Sequence, residues 1–317
     1  MKNVDALLAE IRSNLEKQVP GRCRAIVAAS GGIDSTVAAV IAHEALKERA
    51  TSLFVDNGLL RAGEVNKTKQ LFDEAKIPHR ILNAKDEFLD SLKGVENPEE
   101  KRVRIGNTFA HLFEREALSI GAEFLIQGTI APDWIESGGS VRDTIKTHHN
   151  VGGMPKDMSL KVVEPLRDLY KDEVRALATR LGISAPQRQP FPGPGLAVRI
   201  VGEVTEDRVN VVRMANLAVE ESVEKAVKEG RMVKPWQYFA VLLPLKNTGV
   251  MGDNRTYGEA IAVRMVESVD AMTAAATQVP YEVLREISER ITREVGDKIN
   301  RVVYDVTDKP PATIEWE

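Results

Sequence analysis

The sequence predicts an α/β fold with a parallel sheet, followed by a smaller α+β domain. Through the first half, short apolar runs alternate with helical patterns, as they do in βαβ units whose helices cover a parallel sheet. Residues 187–195 (QRQPFPGPG) hold three prolines and two glycines, a composition that interrupts both helices and strands. Beyond them the strands and helices no longer alternate regularly. We therefore predict domains at 1–188 and 189–317.

The elements of the first domain are predicted from their periodicity. The charged, amphipathic N-terminus is expected to form a helix. Runs expected to be strands are RAIVAA (24–29), ATSLFVD (50–56), HRILNA (79–84), EFLIQGT (123–129) and LKVVEPL (160–166). Helical patterns lie between or after them at 36–48, 64–75, 99–120 and 168–181. For the last helix, Asp168 is the expected N-cap and Gly182 lies just past the end.

The second domain is predicted to mix strands and helices. The expected strands are LAVRIV (196–201), YFAVLLPL (238–245), TYGEAIAVRMVES (256–268), RVVYDVT (301–307) and ATIEWE (312–317). Helices are expected at about 206–229 and at 281–295. About 125 residues suffice for a domain with its own core.

Composition excludes several classes of protein. The formal net charge is -4 over 317 residues, so no global basic field indicates a nucleic-acid partner. The single cysteine, Cys23, excludes an internal disulfide and fits a reducing cytoplasm. No apolar run approaches the length that spans a membrane. We expect a cytoplasmic protein with no membrane segment.

The most informative motif is SGGIDST (30–36), which lies where the first strand meets a helix. Its two glycines allow a tight turn and leave consecutive N–H groups unshielded by a Cβ. Those donors and the helix N-terminus favour a phosphate or pyrophosphate. The motif lacks the spacing and lysine of a Walker A loop and the third glycine of a dinucleotide fingerprint. The alternative is a glycine-rich turn that binds nothing.

SGGIDST resembles the pyrophosphate loop of the ATP pyrophosphatases, which split ATP between its α and β phosphates. Further motifs make the chain similar, from the first strand to the final glutamate, to the ATP-pyrophosphatase part of GMP synthetase. These are VDNGLLRAGE, EKRVRIG, IKTHHNVGG, EPLRDLYKDEVR, PFPGPGLAVRI, GVMGDNRTY and RVVYDVTDKPPATIEWE. The resemblance implies a carbon–nitrogen ligase of purine biosynthesis that uses ATP and Mg²⁺. ATP would adenylate the C2 oxygen of XMP with release of pyrophosphate, and ammonia would then displace AMP to give GMP.

The resemblance also implies which residues bind ATP. They are Ser30, Gly31, Gly32, Ile33, Asp34, Ser35, Thr36, Val55 and Gly128. Asp34 is the candidate metal ligand and catalytic residue, and a carboxylate that caps the helix start is the alternative. Residues 131–159 contain no sustained periodicity and are expected to form a lid over the phosphate site.

Further candidate catalytic residues lie in that lid and after the last strand of the first domain. Asp133, Glu136 and Lys146 are the candidates in the lid, with solvated loop charges as the alternative. Lys171 and Asp172 resemble the phosphate-side pair of the family, although an ordinary charged first turn explains them nearly as well. The adjacent His148 and His149 do not suit a zinc site.

For XMP, the resemblance implies a site made from Arg102, Asp253, Lys309, Ile314 and Glu315. Cationic side chains would meet the nucleotide phosphate, and carboxylates would accept from the base or the ribose. The alternative for the tail is an edge strand beside a proline-bounded turn. Gln189 stands where the family usually has histidine before PFPGPG, which puts a loop-orienting role for that position in doubt.

The partners expected are also implied by the resemblance. Single-chain GMP synthetases carry an N-terminal glutaminase domain, whereas here the loop begins at residue 30. We therefore expect a separate glutamine amidotransferase subunit that supplies ammonia, and a homodimer formed through the C-terminal domain. An NAD synthetase would share SGGIDST but would not account for KPPATIEWE. A tRNA thiolase or a non-catalytic nucleotide-binding module are weaker alternatives.

Overall fold

The computed structural model describes residues 3–131, 160–183, 189–269 and 271–317. The chain forms two compact units. The first consists of Met1–Gly58, Gly63–Ser91 and Arg102–Gln187, and the second of Leu59–Ala62, Leu92–Lys101 and Arg188–Glu317. Two short segments from the N-terminal half of the sequence thus belong to the second unit. A single domain boundary near residue 188 does not include them.

Helices and strands alternate through the first half of the chain. The strands are β1 (Arg24–Ala28), β2 (Ala50–Asp56), β3 (His79–Asn83), β4 (Ala122–Ile126) and β5 (Lys161–Val163). The described helices are α1 (Val4–Gln18), α2 (Ile33–Leu46), α3 (Glu64–Glu74), α4 (Lys85–Leu92), α5 (Pro98–Ile120) and α6 (Lys171–Arg180). A short 3₁₀ turn, Lys47–Arg49, follows α2.

The sheet of the first unit is parallel throughout, in the order β3-β2-β1-β4-β5. The central strand, β1, pairs with β2 on one side and with β4 on the other. Its apolar residues Ala25, Ile26 and Val27 are fully buried. The helix that follows, α2, buries residues on most of its circumference, because nine of its 14 residues are alanine or β-branched. The predicted α/β fold is therefore confirmed.

The predicted cap of α6 is wrong. The chain makes a turn through residues 165–168, and Lys171 is the first helical residue. Tyr170 takes the extended N-cap conformation, and its N–H donates to Glu173 Oε2 at 3.0 Å. Tyr170 is therefore the N-cap in place of Asp168, and Glu173 at the third helical position accepts its N–H. The other end is as predicted, since Gly182 has φ +69°.

The second unit is α+β. Its helices are α7 (Glu206–Lys228) and α8 (Tyr281–Val295), and its strands are β6 (Gln237–Met251), β7 (Asn254–Glu267), β8 (Ala275–Ala276) and β9 (Ile299–Asp305). Strand β7 pairs antiparallel with β6 along one edge. Its other edge is shared by β9, which runs parallel, and the short β8. The two helices contact each other, and they contact β6 and β9 respectively.

Two strands predicted in the second domain are wrong. Residues Gly195–Arg199 form a 3₁₀ helix, because Gly195 has φ +67° and the Leu196 N–H donates to Leu59 O at 2.7 Å. At the tail, residues 312–317 pair with no strand of the described chain. The carbonyls of Thr313 and Ile314 instead accept from the side chain of Arg264.

None of the helices within the described ranges is sufficiently long and apolar to cross a membrane.

Candidate functional site

The loop at residues 30–32 lies at the carboxyl end of the central strand of the parallel sheet. Gly31 has φ +80°, in the left-handed region that glycine adopts most readily. Gly32 is the N-cap of α2 and has no side chain to accept from the first-turn N–H groups. A bound anion can take that place, where the helix dipole also favours negative charge. Asp34 is the second residue of the helix and not its N-cap.

Hydroxyl groups hold this loop in shape. Ser35 Oγ accepts from the Ser30 N–H at 3.1 Å and donates to Gly32 O at 3.0 Å. Because Ser35 has only one hydroxyl proton, the 3.0 Å contact with Ser30 Oγ has Ser30 as the donor. Thr36 Oγ1 also donates to Gly32 O, at 2.8 Å. In this arrangement the hydroxyls of Ser35 and Thr36 order the loop backbone.

A residue of α3 packs directly on the loop. A Cβ atom at Gly31 would lie 2.4 Å from Thr68 Oγ1 and 2.8 Å from Thr68 Cγ2. Thr68 itself is fully buried. Glycine is therefore required at position 31 for two reasons, the backbone conformation and the contact with Thr68.

A second close approach lies at the end of β4. A Cβ atom at Gly128 would lie 2.7 Å from both the N and the Cα atoms of Ser35. The backbone after β4 therefore contacts the first turn of α2 directly. Gly128, which we predicted to bind ATP, shapes the same loop-to-helix junction that Ser35 orders.

Other predicted residues of the first unit have simpler surroundings. Val55 is buried in β2, so its backbone is the part that could meet a ligand. Lys171 and Asp172 are exposed at the start of α6. Arg102 is partly exposed on α5. Asp133, Glu136 and Lys146, with the rest of the expected lid at 132–159, lie outside the described residues.

The tail of the chain is built into the second unit. Lys309 exchanges two backbone hydrogen bonds with Ala274, and its Nζ donates to Ala271 O at 2.8 Å. Ile314 is buried in the apolar core with Phe239 and Val241. Asp253 is exposed in the turn between β6 and β7.

Both carboxylate oxygens of Glu315 are hydrogen-bonded. Arg199 donates to them from Nε at 3.0 Å and from Nη2 at 2.9 Å. Gln237 Nε2 donates to Oε1 at 3.0 Å. The guanidinium of Arg199 is fully buried and lies 4.1 Å from the ring centroid of Phe239. The structure therefore binds Glu315 to a cation that the sequence did not indicate.

Arg264 fixes the tail through its backbone. The guanidinium donates to the carbonyl oxygens of Ile314, Thr307 and Thr313 at 3.1, 2.7 and 3.0 Å. It also forms an ion pair with Asp305 at 3.0 Å. Because this cation is fully buried, these acceptors replace the water that it loses.

Lys101 holds the last residue of the sequence. Its Nζ donates to Ile200 O at 2.7 Å and pairs with the Glu317 carboxylate, which also accepts from the Gly202 N–H at 3.2 Å. Burial lowers the pKa of the Lys101 ammonium, and the Glu317 hydrogen bond and charge oppose that shift. Lys101 thus joins Arg199 and Arg264 as a buried cation that holds the tail.

Comparison with known proteins identifies the family. The family model described as GMP synthase C terminal domain matches residues 224–316, and the one described as Queuosine biosynthesis protein QueC matches residues 24–189. The B subunit of GMP synthase (glutamine-hydrolyzing) from Thermoplasma acidophilum is 53% identical over 315 residues, which cover 99% of this chain and 100% of the relative. The chain belongs to the family of GMP synthase B subunits. Proteins of the same name from Methanopyrus kandleri (54%) and Pyrococcus furiosus (53%) match 100% of this chain and 98% and 97% of their own lengths.

The two matching family models cover different parts of the predicted site of this GMP synthase family member. The match over 24–189 contains the loop, Gly128 and the Lys171–Asp172 pair, and the match over 224–316 contains Arg264 and Glu315. Full-length identity to GMP synthase proteins does not favour an NAD synthetase.

Sequence reasoning missed Lys101, Arg199 and Arg264. Arg264 gave a usable signal, because a single charge within the apolar run AIAVRMV must find acceptors once the strand is buried. Lys101 lies in EKRVRIG and Arg199 in PFPGPGLAVRI, two motifs on which the family resemblance rests. The residues next to them in the sequence gave no sign that these cations would be buried. Gln189 orients its loop after all, because Nε2 donates to Glu220 Oε1 at 2.9 Å and Oε1 accepts from the Tyr238 N–H at 2.8 Å.

Proposed function

We propose that this chain synthesises GMP from XMP as the ATP-pyrophosphatase subunit of a two-subunit GMP synthase. The observation that carries the proposal is more than 50% identity, over the full length, to the GMP synthase B subunits of several organisms. The glycine loop at the end of the central strand supports it, because its geometry suits the pyrophosphate that ATP releases.

The reaction has two steps. The C2 oxygen of XMP forms a bond to the α-phosphorus of ATP, and the bond to the β-phosphate oxygen breaks to release pyrophosphate. Ammonia then adds at C2, and the C2–O bond breaks with departure of AMP, which keeps the oxygen of XMP. Since C2 carries a poor leaving group before adenylation, placement and charge neutralisation are the main tasks of the protein.

The loop performs the neutralisation. N–H groups of Gly31, Gly32 and the first turn of α2 donate to the departing pyrophosphate. These donors are preorganised, because the hydroxyls of Ser35 and Thr36 both donate to Gly32 O. In addition, the close packing at Thr68 and Gly128 leaves the loop backbone little room to move. A fixed set of donors costs no reorganisation during the reaction.

Mg²⁺ fits the same place. Proteins commonly bind this ion through one or two carboxylates together with the phosphates of the substrate. Asp34 is a carboxylate in the first turn of α2, next to the proposed phosphate site, and oxygen is the ligand that Mg²⁺ prefers. The phosphates of the substrate would complete the set of oxygen ligands. When bound, the ion would neutralise phosphate charge.

The XMP site is proposed on the tail. Lys309 uses one of its three N–H donors for Ala271 O, which leaves two for a nucleotide phosphate. Glu315 accepts three hydrogen bonds, and a carboxylate has about four lone-pair sites, so one can serve a base or ribose donor. Ile314, Asp253 and Arg102 complete the set that the resemblance implies.

The remaining predicted residues are proposed to act around the phosphates. Lys146 would steady phosphate charge, and Asp133 and Glu136 would position metal or ammonia. Lys171 and Asp172 would act on the phosphate side from the start of α6.

Homodimerisation through the second unit is a further part of the proposal. The extended hairpin of β6 and β7 exposes large apolar side chains, among them Leu245, Val250 and Tyr257, at 59%, 77% and 68%. Exposed apolar groups on paired strands are typical of an interaction surface. Sedimentation should give a dimer mass at micromolar concentration, and a monomer mass would contradict this part.

The ammonia source provides the test. The isolated chain, supplied with ATP, Mg²⁺ and XMP, should form GMP with ammonium chloride and none with glutamine. Addition of a glutamine amidotransferase subunit of the same family should make glutamine effective. Glutamate release from glutamine by the pure chain, or no GMP with ammonium, would contradict the proposal.

A further inference from the structure

Thr68 on α3 has a buried hydroxyl whose hydrogen bond is not accounted for. The side chain is fully buried, and Oγ1 has no hydrogen-bond partner among the residues that the structure describes. Buried hydroxyls in folded proteins are nearly always hydrogen-bonded, so an exception indicates a missing ligand, water or ion. A valine would fill the same volume without that cost.

The orientation of this hydroxyl is also unusual for a helical threonine. Such residues commonly donate to the carbonyl four positions earlier. Four others in the described part of the chain do so, with distances of 2.8 Å from Thr36 to Gly32 O, 2.9 Å from Thr108 to Arg104 O, 3.0 Å from Thr179 to Arg175 O and 2.9 Å from Thr292 to Ser288 O. Thr68 makes no such bond to residue 64.

The Thr68 hydroxyl lies instead against the phosphate loop. The position that a Cβ of Gly31 would occupy is 2.4 Å from Oγ1, so only the hydrogens of Gly31 separate this hydroxyl from the loop backbone. The glycine thus leaves a polar group facing the turn at residues 30–32, where the Gly32 N–H makes only a long contact, 3.4 Å, with Ser30 Oγ that a bound anion can replace. Gly32 caps α2 without a side chain at the same turn.

We propose that Thr68 is a further ligand of the pyrophosphate group, through a hydrogen bond from Oγ1 to an anion oxygen held by the loop at residues 30–32. This inference rests on the proposed function, because it requires that the loop binds the phosphates of ATP. A hydroxyl donates well to an anionic oxygen, and such charge-assisted bonds are stronger than neutral ones. Binding of the anion satisfies the hydroxyl that is otherwise buried without a partner.

The test compares two substitutions that separate the hydroxyl from the shape. Thr68→Val keeps the volume and removes the donor, whereas Thr68→Ser keeps the donor. Calorimetric titration of the full chain with inorganic pyrophosphate and Mg²⁺ should show about tenfold weaker binding for Thr68→Val and near-normal binding for Thr68→Ser. Thr108→Val, which removes a helical hydroxyl with an internal partner, is the control and should leave pyrophosphate binding unchanged.

Thermal unfolding distinguishes a ligand role from a structural one. Because valine removes an unpaired buried hydroxyl, Thr68→Val should keep or raise the unfolding midpoint while it weakens pyrophosphate binding. Equal binding by the wild type and Thr68→Val would overturn the inference, as would a lowered midpoint with weak binding that Thr68→Ser does not restore. If the wild-type chain itself fails to bind pyrophosphate, the proposed function of the loop fails first.

Discussion

Arg199 and Glu315 form a bidentate ion pair inside the second unit. The guanidinium is fully buried, and its Nε and Nη2 atoms lie 3.0 and 2.9 Å from the two carboxylate oxygens. Asn216 Oδ1 accepts a further bond from Nη1 at 3.2 Å. Removal of the carboxylate charge would leave the guanidinium buried and only partly compensated. The pair therefore ties residue 315, which we assign to XMP, to the stability of the whole unit.

Glu315→Gln should destabilise the second unit by about 3 kcal/mol, because it leaves the charge of Arg199 without its counter-ion. Urea denaturation measures this change. Glu289→Gln is a matched control, since Glu289 pairs with Arg285 on the exposed face of α8 and its removal should have little effect. Equal effects of the two substitutions would show that the buried pair contributes no more than a surface pair.

Gly31→Ala should abolish pyrophosphate release from ATP. Alanine would be strained at φ +80°, and its Cβ would lie 2.4 Å from Thr68 Oγ1, so the loop must move. Gly21→Ala is the control, because Gly21 has φ +61° and no atom within 4 Å of an added Cβ. It bears the same type of backbone strain without the clash. If both variants keep wild-type activity, the close packing of the loop has no functional importance.

Lys309→Ala should raise the Michaelis constant for XMP by about one to two decades, because a charge-assisted contact is lost. The Michaelis constant for ATP should barely change, since the loop proposed to bind the phosphates of ATP belongs to the first unit. Lys298→Ala, which removes a lysine paired with Asp207 on the surface, provides the comparison. An equal rise in the Michaelis constants for XMP and ATP, or no rise in either, would remove Lys309 from the proposed XMP site.

Acid should destabilise the first unit through His43. Burial lowers the pKa of this imidazole in the folded state, and its Nε2 lies 3.1 Å from Ser52 Oγ. The unfolded chain then binds the proton more readily, so stability is complete above the unfolded pKa of about 6.5. It is lost as the pH falls below that value towards the lower folded pKa.

The free energy of unfolding, measured between about pH 7.5 and 5.5, checks the role of His43. His43→Gln should reduce the slope of stability against pH in this range. His111→Gln, at an exposed position on α5, should leave the slope unchanged. An unaltered slope in His43→Gln would assign the acid sensitivity to other groups.

The sequence predicted much of the fold because its signals are local. The apolar runs at 24–29 and 50–56 became β1 and β2 to within one residue, and the helix predicted at 281–295 has those bounds in the structure. Failures came where a distant partner decides the conformation. The run LAVRIV is rich in β-branched residues, which favour strands. The hydrogen bond from the Leu196 N–H to Leu59 O nevertheless holds its start in a 3₁₀ helix.

The position of the glycine loop was predictable for the same reason, and its role in binding an anion stays a prediction. SGGIDST indicated an anion-binding turn because the required glycines and helix start are adjacent in sequence. The contact of Thr68 with Gly31 and the pairing of Lys101 with Glu317 join residues far apart in the chain, so no local pattern could reveal them. Burial of Arg199 likewise depends on the assembled second unit.

The fate of the C2 oxygen of XMP tests the proposed chemistry most directly. XMP that carries a heavy oxygen isotope at this position is converted by the chain with ATP, Mg²⁺ and ammonium, and the products are analysed by mass spectrometry. Adenylation of the C2 oxygen predicts that the heavy oxygen leaves with AMP and that pyrophosphate forms in equal amount. Unlabelled AMP, or ADP with the heavy oxygen in inorganic phosphate, would contradict the account.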